Sequence, residues 1–281
     1  MVAQMTANPS ADDRSSTDDS RDKLDTGVAH TARVWNYWLG GKDHFPADRE
    51  VGEAVRQMLP HVVLTAQADR GFLIRAVRFL AGEAGMRQFL DVGTGLPTAN
   101  NTHQVAQSVA PESRIVYVDN DPLVLVHARA LLTSTAEGAT KYIEADLREP
   151  ESILPAAAET LDFTQPVAVT LLGVLNFVLD FHEARAIVKR LLAAVPSGSY
   201  LAIAHASNEC FPEQAEEVRQ FWNANAKPPI VFRNAQQIAT FFEGTDLLEP
   251  GVVSCSRWRP DAAALELPAE IQQFCGVGRK P

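Results

Sequence analysis

Apolar residues follow two different rhythms along this chain. In the N-terminal part they recur every three or four residues, which is the spacing of an amphipathic helix. The first such run begins at Val34, a second covers 47–59 and stops at Pro60, and a third covers 72–80. The pattern predicts about three helices between residues 28 and 84, and we interpret them as an N-terminal helical cap.

Beyond residue 85, short apolar runs alternate with helical patterns. The runs are apolar at nearly every position, as in strands that are buried on both faces. Strands are predicted at 87–92, 114–119, 140–145, 166–175 and 199–205, with helices at 102–109, 122–132 and 181–195 between them. Further helices at 212–226 and 234–242 precede two last strand candidates, near 251–257 and 271–278. This alternation predicts an α/β fold with a mostly parallel sheet and helices on both faces, formed by residues 85–281.

Composition and charge narrow the class of protein. The chain has 281 residues, of which 46% are hydrophobic, enough for a sizeable core. A formal net charge of −10 repels phosphate backbones and anionic membrane surfaces, so we expect no nucleic-acid or membrane partner. Residues 1–27 are rich in Ser, Asp and Thr, which predicts a disordered tail.

The cysteines and the N-terminus point to a cytoplasmic protein. Cys210, Cys255 and Cys275 are far apart and form no C-x-x-C pair, so neither a disulfide framework nor a metal site is expected. The N-terminus lacks the order of a secretory signal, and no apolar run is long enough to span a bilayer. The sequence contains no signal for the oligomeric state.

The stretch "FLDVGTGLPT" contains the first candidate chemistry. Asp91 ends the first strand, and Gly93 and Gly95 follow with the backbone freedom that lets a ligand approach the main chain. A dinucleotide-binding loop would have a third glycine where Leu96-Pro97 stands, and its pyrophosphate would be repelled by Asp91. A ligand with a cationic end and no phosphate, such as S-adenosylmethionine, fits this loop better.

Two more acids follow the next two strands. Asp119 ends "VYVDNDP" and can accept both ribose hydroxyls of an adenosine, although helix capping is its alternative role. Asp146, in "ADLRE", can accept from the adenine amino group, with Leu147 beside the ring. The carboxyl ends of parallel strands meet at one edge of a sheet, which is where open α/β sheets bind ligands.

These motifs resemble motifs I, II and III of class I S-adenosylmethionine-dependent methyltransferases. More narrowly, "ARVWNYWLGGKDHFPADRE", "HARALLTST" and the ending "GVGRK" resemble a chiefly actinobacterial methyltransferase family first described as a domain of unknown function. The resemblance implies a Rossmann-like, seven-stranded, mostly parallel sheet and S-adenosylmethionine as cofactor. It implies cofactor contacts at Asp91, Gly93, Thr94, Gly95, Asp119, Asn120, Asp146 and Leu147.

Catalytic candidates lie after the fourth and fifth strands. Asn176 stands where many class I methyltransferases handle the methyl acceptor, and His205 is a histidine suited to general-base work. The alternative role of Asn176 is to cap the helix that follows or to satisfy a buried backbone group. The alternative role of His205 is a structural hydrogen bond. Arg70 and Arg75, on the third predicted helix, are candidates for the cofactor carboxylate, with a salt-bridged surface as the alternative.

The sequence therefore predicts a methyltransferase that acts on an unidentified small molecule. Two other functions stay open at this point. An NAD-dependent oxidoreductase would share the sheet and the ribose-binding acid, and titration with both cofactors would distinguish it. A non-catalytic S-adenosylmethionine-binding protein would lack space for an acceptor beside the cofactor.

Overall fold

The computed structural model describes residues 25–131, 133–260 and 268–281, so most of the predicted N-terminal tail lies outside the described residues. The helices are α1 (Thr31–Trp38), α2 (Pro46–Met58), α3 (Val62–Gly82), α4 (Thr102–Val109), α5 (Pro122–Leu131), α6 (Pro150–Ala157), α7 (Phe181–Ala193), α8 (Pro212–Asn225) and α9 (Ala235–Ala239). The strands are β1 (Ala29–His30), β2 (Gln88–Val92), β3 (Arg114–Asp119), β4 (Ala139–Glu144), β5 (Ala168–Leu172), β6 (Tyr200–Ala206), β7 (Ala226–Lys227), β8 (Asp246–Leu247), β9 (Val253–Ser254) and β10 (Gln273–Arg279).

The central sheet has the strand order β4-β3-β2-β5-β6-β10-β8, and β9 also pairs with β10. Strands β2 to β6 are parallel to one another, and β10 runs antiparallel to β6. The order reverses beside β2, because the chain crosses from β4 at one edge to β5 on the other side of β2. The predicted α/β fold with a mostly parallel sheet is confirmed, and the carboxyl ends of β2 to β5 meet at this crossover.

The last part of the sheet differs from the predicted one. The candidate strand at 251–257 shrinks to β9 and continues as a 3-10 turn over Cys255–Arg257. The strand at the end of the sheet is instead β8, a pair of exposed residues too short to give an apolar pattern. Helix α6 was also missed, because Pro150 and Pro155 interrupt its pattern.

Large apolar side chains pack on both faces of the sheet. One face carries a cluster under α6 and α7, which includes Val169 and Ile187. The other face carries a cluster under the second half of α3, which includes Phe72 and Val77. In the described part of the chain, no helix combines the length and apolar content needed to cross a membrane.

The cap is built from two distant parts of the chain. Helices α1 and α2 share an apolar cluster with the first half of α3 and with α8, in which Trp38 and Trp222 lie 6.3 Å apart between ring centroids. Strand β1 pairs in parallel with β7, so that Ala29 lies opposite Ala226 and His30 opposite Lys227. Residues 28–84 therefore do not form the cap alone, and α3 contributes to both the cap and the sheet.

A buried carboxylate fastens the start of the cap. Asp48 accepts hydrogen bonds from the backbone amides of His30 (2.9 Å) and Phe45 (2.7 Å), and it pairs with the Arg33 guanidinium at 3.0 Å. Asp48 is 0% exposed and Arg33 is 2% exposed. Arg33 also donates to the Val28 carbonyl at 2.5 Å, which ties β1 to α1.

Replacing Asp48 should destabilise the protein strongly. Asp48→Ala leaves Arg33 buried without its counter-charge, and breaking a buried ion pair in this way costs about 3–5 kcal/mol. The free energy of unfolding, measured by urea denaturation, should fall by that amount. Glu50→Ala, an exposed acid on the same helix, should change it by less than about 0.5 kcal/mol. Equal stability of the two variants would show that Asp48 does not anchor the cap.

Candidate functional site

A cavity of about 570 Å³ lies between the carboxyl edge of the sheet and the cap. The loops after β2, β3, β4 and β5 form its floor. Its cover comes from α1, from α3 and from the Pro228-Pro229 segment after β7. A smaller polar pocket of about 70 Å³ opens beside it and shares Asp69, Arg70, Gly93, Thr94 and Leu172 with it.

The glycine loop lies at the floor of the cavity, and it needs its glycines. Gly93 has a φ of 78°, and a Cβ there would lie 2.3 Å from Val174. Gly95 has a φ of 66°, and the space where its Cβ would stand is open. Side chains are strongly disfavoured at such φ values. The backbone of residues 93–95, including Thr94, therefore borders the cavity directly.

Asp119 lies beside this loop at the end of β3. One carboxylate oxygen accepts from the Gly95 amide at 2.7 Å, and the other accepts from the Asp121 amide at 3.0 Å. Burial raises the pKa of Asp119, and the two backbone donors oppose that rise. A carboxylate has about four acceptor positions, so Asp119 keeps capacity for hydroxyl groups in the cavity that it borders.

Asp146, Leu147 and Asn120 border the same end of the cavity. Asp146 accepts from the backbone amide of Arg148 at 2.8 Å, and the Arg148 guanidinium lies 3.3 Å from it. Arg148 also donates to the Phe177 carbonyl at 2.8 Å. This arginine therefore joins the loop after β4 to the loop after β5, and Leu147 gives the cavity an apolar wall beside it.

Asp91 lies behind the cavity and does not border it. Its two carboxylate oxygens accept from the hydroxyls of Thr102 (2.6 Å) and Thr170 (2.8 Å), and burial raises its pKa. Among the cavities, Asp91 borders the smaller pocket. The two threonine hydroxyls occupy the carboxylate, so Asp91 lies one layer behind the cavity wall. The predicted interaction of Asp91 with the cationic end of the cofactor, directly or through water, stays a prediction.

Arg70 reaches the loop between β2 and α4. Its guanidinium donates to the Asn101 side chain at 2.9 Å and to the Ala99 carbonyl at 3.2 Å, while its Nε has no partner within the described ranges. Burial lowers the pKa of Arg70, and the nearby carboxylates Asp69 and Asp91 oppose that shift. Arg75 instead donates to the carbonyls of Cys255 and Trp258, away from the cavity.

Asp69 borders both cavities, although no sequence motif singles it out. The buried positions Val62, Ala66, Leu73, Ala76 and Leu80 form the apolar stripe of α3. Asp69 occupies the next place in that stripe, three residues after Ala66 and four before Leu73. A carboxylate on an apolar helix face is a signal that could have found it. Burial raises its pKa to about 6, with the Gln273 amide donating to it at 3.1 Å.

The two catalytic candidates lie away from the cavity. His205 is fully buried, its Nδ1 lies 2.7 Å from the Ala206 carbonyl, and its Nε2 lies 2.7 Å from Arg233. Burial and Arg233 lower its pKa to about 3. Both nitrogens are occupied, so this geometry gives no support to a general base at His205. The strand end was located correctly, but the sequence could not tell which way the ring points.

Asn176 is also buried, in the 3-10 turn Leu175–Phe177 after β5. Its backbone carbonyl accepts from the Val231 amide at 2.9 Å, and its side chain does not border the cavity. The next residue, Phe177, does border it. The position therefore shapes the wall through its neighbour and gives no support to a direct catalytic role for Asn176.

The cap contributes aromatic and polar side chains to the cavity wall. Trp35 and Asn36 border it from α1. The Asn36 side-chain oxygen accepts from the Asp43 amide at 2.9 Å, which holds the turn after α1 against the helix. Of the aromatic residues in this segment, Trp38 packs inside the cap core.

Comparisons with known proteins identify the family of this chain. A family model described as S-adenosyl methyltransferase matches residues 17–281. The search of curated proteins found no match. The chain is similar to the crystal structure of a DUF574 family protein from Streptomyces avermitilis, at 48% identity and a TM-score of 0.88, with 92% of this chain and 99% of that chain covered.

Two further solved structures extend the comparison. A candidate methyltransferase from Thermobifida fusca is 39% identical, with a TM-score of 0.83 and coverage of 91% of this chain and 96% of that one. An O-methyltransferase family protein from Burkholderia thailandensis is 14% identical, with a TM-score of 0.52 and coverage of 96% and 70%, and it shares the fold alone.

The predicted cofactor is confirmed by these matches, and the NAD-dependent alternative is set aside. The family model covers nearly the whole chain, including the cap and the glycine loop. The chain belongs to the S-adenosyl methyltransferase family and is an enzyme that depends on S-adenosylmethionine.

Proposed function

We propose that the enzyme methylates a small molecule held in the cavity between the cap and the sheet edge. The observation that carries this proposal is the cover of the cavity by α1, α3 and the Pro228-Pro229 segment. A volume of about 570 Å³ is within the range of small-molecule sites. A covered cavity of this size favours a small acceptor over a protein or a nucleic acid.

The residues around the cavity fit S-adenosylmethionine at both of its ends. At one end, Asp119, Asp146 and Leu147 supply two carboxylates and an apolar wall, as an adenosine requires. At the other end, Arg70 supplies a half-buried cation whose Nε has no partner among the described residues, which suits the cofactor carboxylate. The glycine loop lies between the two ends and lets the ligand lie against the backbone. We therefore assign the adenosine to the β3 and β4 side and the amino-acid end to Arg70.

The chain also provides negative charge for a cationic ligand. Bound S-adenosylmethionine supplies a methyl group on a positively charged sulfur. Asp91 lies behind the glycine loop, and its buried carboxylate favours a cation in front of that loop. The ring of Trp35 borders the same space. Methyl transfer to a good nucleophile depends mainly on alignment and exclusion of water, which the cap provides.

The size of the acceptor can be tested with a labelled cofactor. The full chain is incubated with methyl-tritiated S-adenosylmethionine and a cell extract, and the unreacted cofactor is removed. We expect enzyme-dependent label in the low-molecular-mass fraction, with heat-inactivated enzyme as the control. Label that appears in the protein or nucleic-acid fraction instead would contradict a small-molecule acceptor.

Removing the carboxylate of Asp119 should weaken binding of every adenosine ligand. Asp119→Ala should cost roughly 1–3 kcal/mol, the range for leaving polar partners unpaired. Calorimetry should show a similar loss for S-adenosylhomocysteine and for methylthioadenosine, since both carry the ribose. Asp246→Ala, on the exposed edge strand, should bind both ligands normally. Unchanged affinity of the Asp119 variant would remove this residue from the site.

Removing the charge of Arg70 should affect only ligands with an amino-acid end. Arg70→Gln should weaken S-adenosylhomocysteine by roughly 1.5–3 kcal/mol, the range for hydrogen bonds to charged groups. Methylthioadenosine lacks the carboxylate, so its affinity should not change. Arg78→Gln, an exposed arginine on the same helix, serves as the control. An equal loss for both ligands would mean that Arg70 acts on the loop and not on the carboxylate.

A further inference from the structure

Two adjacent residues of α3 point in different directions along the sheet edge. Arg70 contacts the loop after β2, through Asn101 and Ala99. Asp69 instead contacts Gln273, the first residue of β10. Strand β10 lies two places beyond β5, whereas Asp119 and Asp146 follow β3 and β4 on the opposite side of β2. Asp69 is therefore on the side of the cavity away from the adenosine acids.

The end of β5 lies beside Gln273, the hydrogen-bond partner of Asp69. Gly173 follows β5 and borders the cavity, and a Cβ on it would stand 3.5 Å from the Gln273 amide that donates to Asp69. One oxygen of Asp69 is occupied by this amide. Since the residue borders both cavities, its carboxylate has acceptor capacity left for a ligand. A carboxylate in this position borders the cavity on the side opposite the adenosine acids.

We propose that Asp69 is a catalytic residue, which accepts the proton of a neutral hydroxyl group on a small aromatic acceptor. This inference rests on the proposed function, because it requires the cofactor to lie with its amino-acid end at Arg70. It adds two things to the proposed function: Asp69 as the proton acceptor, and phenols as the substrate class.

The step balances without any further reagent. The acceptor oxygen forms a bond to the methyl carbon, the bond between that carbon and the sulfur breaks, and its electron pair stays on the sulfur. The hydroxyl proton passes to the Asp69 carboxylate, which becomes a neutral acid. The products are a methyl ether and S-adenosylhomocysteine, and the proton then leaves Asp69 for water.

The cavity wall supports a neutral, aromatic acceptor. Trp35, Phe177 and Pro228 present flat or apolar surfaces to it. Asp69 and Asp91 place two carboxylates near the reacting region, so an anionic acceptor such as a carboxylate would be repelled there. A hydroxyl group needs a base to become a good nucleophile. A carboxylate acceptor is already ionised and would need no base.

The titration of Asp69 agrees with this role. Burial raises its pKa to about 6, which is near the optimum for a base at neutral pH. The charged and titratable groups around it are Arg70 on its own helix, Asp91 and Tyr117 across the smaller pocket, and Cys255 in the turn after β9. The carboxylate form predominates above about pH 6, so transfer should decline as the pH falls below that value.

A binding experiment separates this role from recognition of the cofactor's amino group. Asp69→Asn keeps the shape and the bond to Gln273 but removes the base. We expect its affinity for S-adenosylhomocysteine to stay within about twofold of the native value. A loss of tenfold or more for this ligand, with normal binding of methylthioadenosine, would place Asp69 on the cofactor's ammonium group and overturn the proposal.

An activity experiment tests the chemistry. The native enzyme and the variant are given para-cresol and catechol with methyl-tritiated S-adenosylmethionine, and para-toluate as the anionic counterpart. We expect the native enzyme to methylate a phenol, with a rate that falls below about pH 6, and not to methylate para-toluate. Asp69→Asn should lower kcat by at least about a hundredfold with little change in KM for the cofactor, and the acidic limb should disappear.

The control is Glu83→Gln, which makes the same chemical change at the exposed end of α3. It should keep native activity and the native pH profile. The proposal is overturned if the kcat of Asp69→Asn is within about threefold of the native value. It is also overturned if the native enzyme methylates only para-toluate, or if it methylates neither phenol. A native protein that fails to bind S-adenosylhomocysteine would instead contradict the cofactor site, and Asp69 with it.

Discussion

The cavity depends on a short pairing between β1 and β7, which joins parts of the chain almost two hundred residues apart. This pairing brings the helices before the sheet and the helix after β6 into one apolar cluster. Asp48 fixes the start of that cluster through two backbone amides and Arg33. Without these contacts the carboxyl edge of the sheet would face open solvent, and a reacting group there would not be shielded from water.

Charge is the second constraint on the site. Burial raises the pKa values of three carboxylates, Asp69, Asp91 and Asp119. Arg70 is the cation near Asp69 and Asp91. Keeping ionised groups in such a place is costly unless each has partners. Threonine hydroxyls, backbone amides and the side chains of Asn101 and Gln273 supply them. Asp91 adds negative charge behind the glycine loop, which suits the cationic ligand that we propose for this site.

The sequence predicted the sheet and the acids at the strand ends well, because both depend on local pattern. Strands β2 to β6 follow apolar runs, and Asp119 and Asp146 border the cavity as strand-end residues should. The sequence could not predict the directions in which these side chains point. His205 lies at the correct strand end but turns toward Arg233, and Asp91 is bound by two threonines. The contribution of α8 and β7 to the cap depends on contacts between distant segments, which no local pattern contains.

A crystal structure of the full chain with S-adenosylhomocysteine would test the central claim most directly. The account predicts that the ribose hydroxyls lie within hydrogen-bond distance of Asp119, that the α-carboxylate lies beside Arg70, and that space remains between the sulfur and Asp69. An adenosine bound against α3, with its amino-acid end at Asp146, would contradict the account.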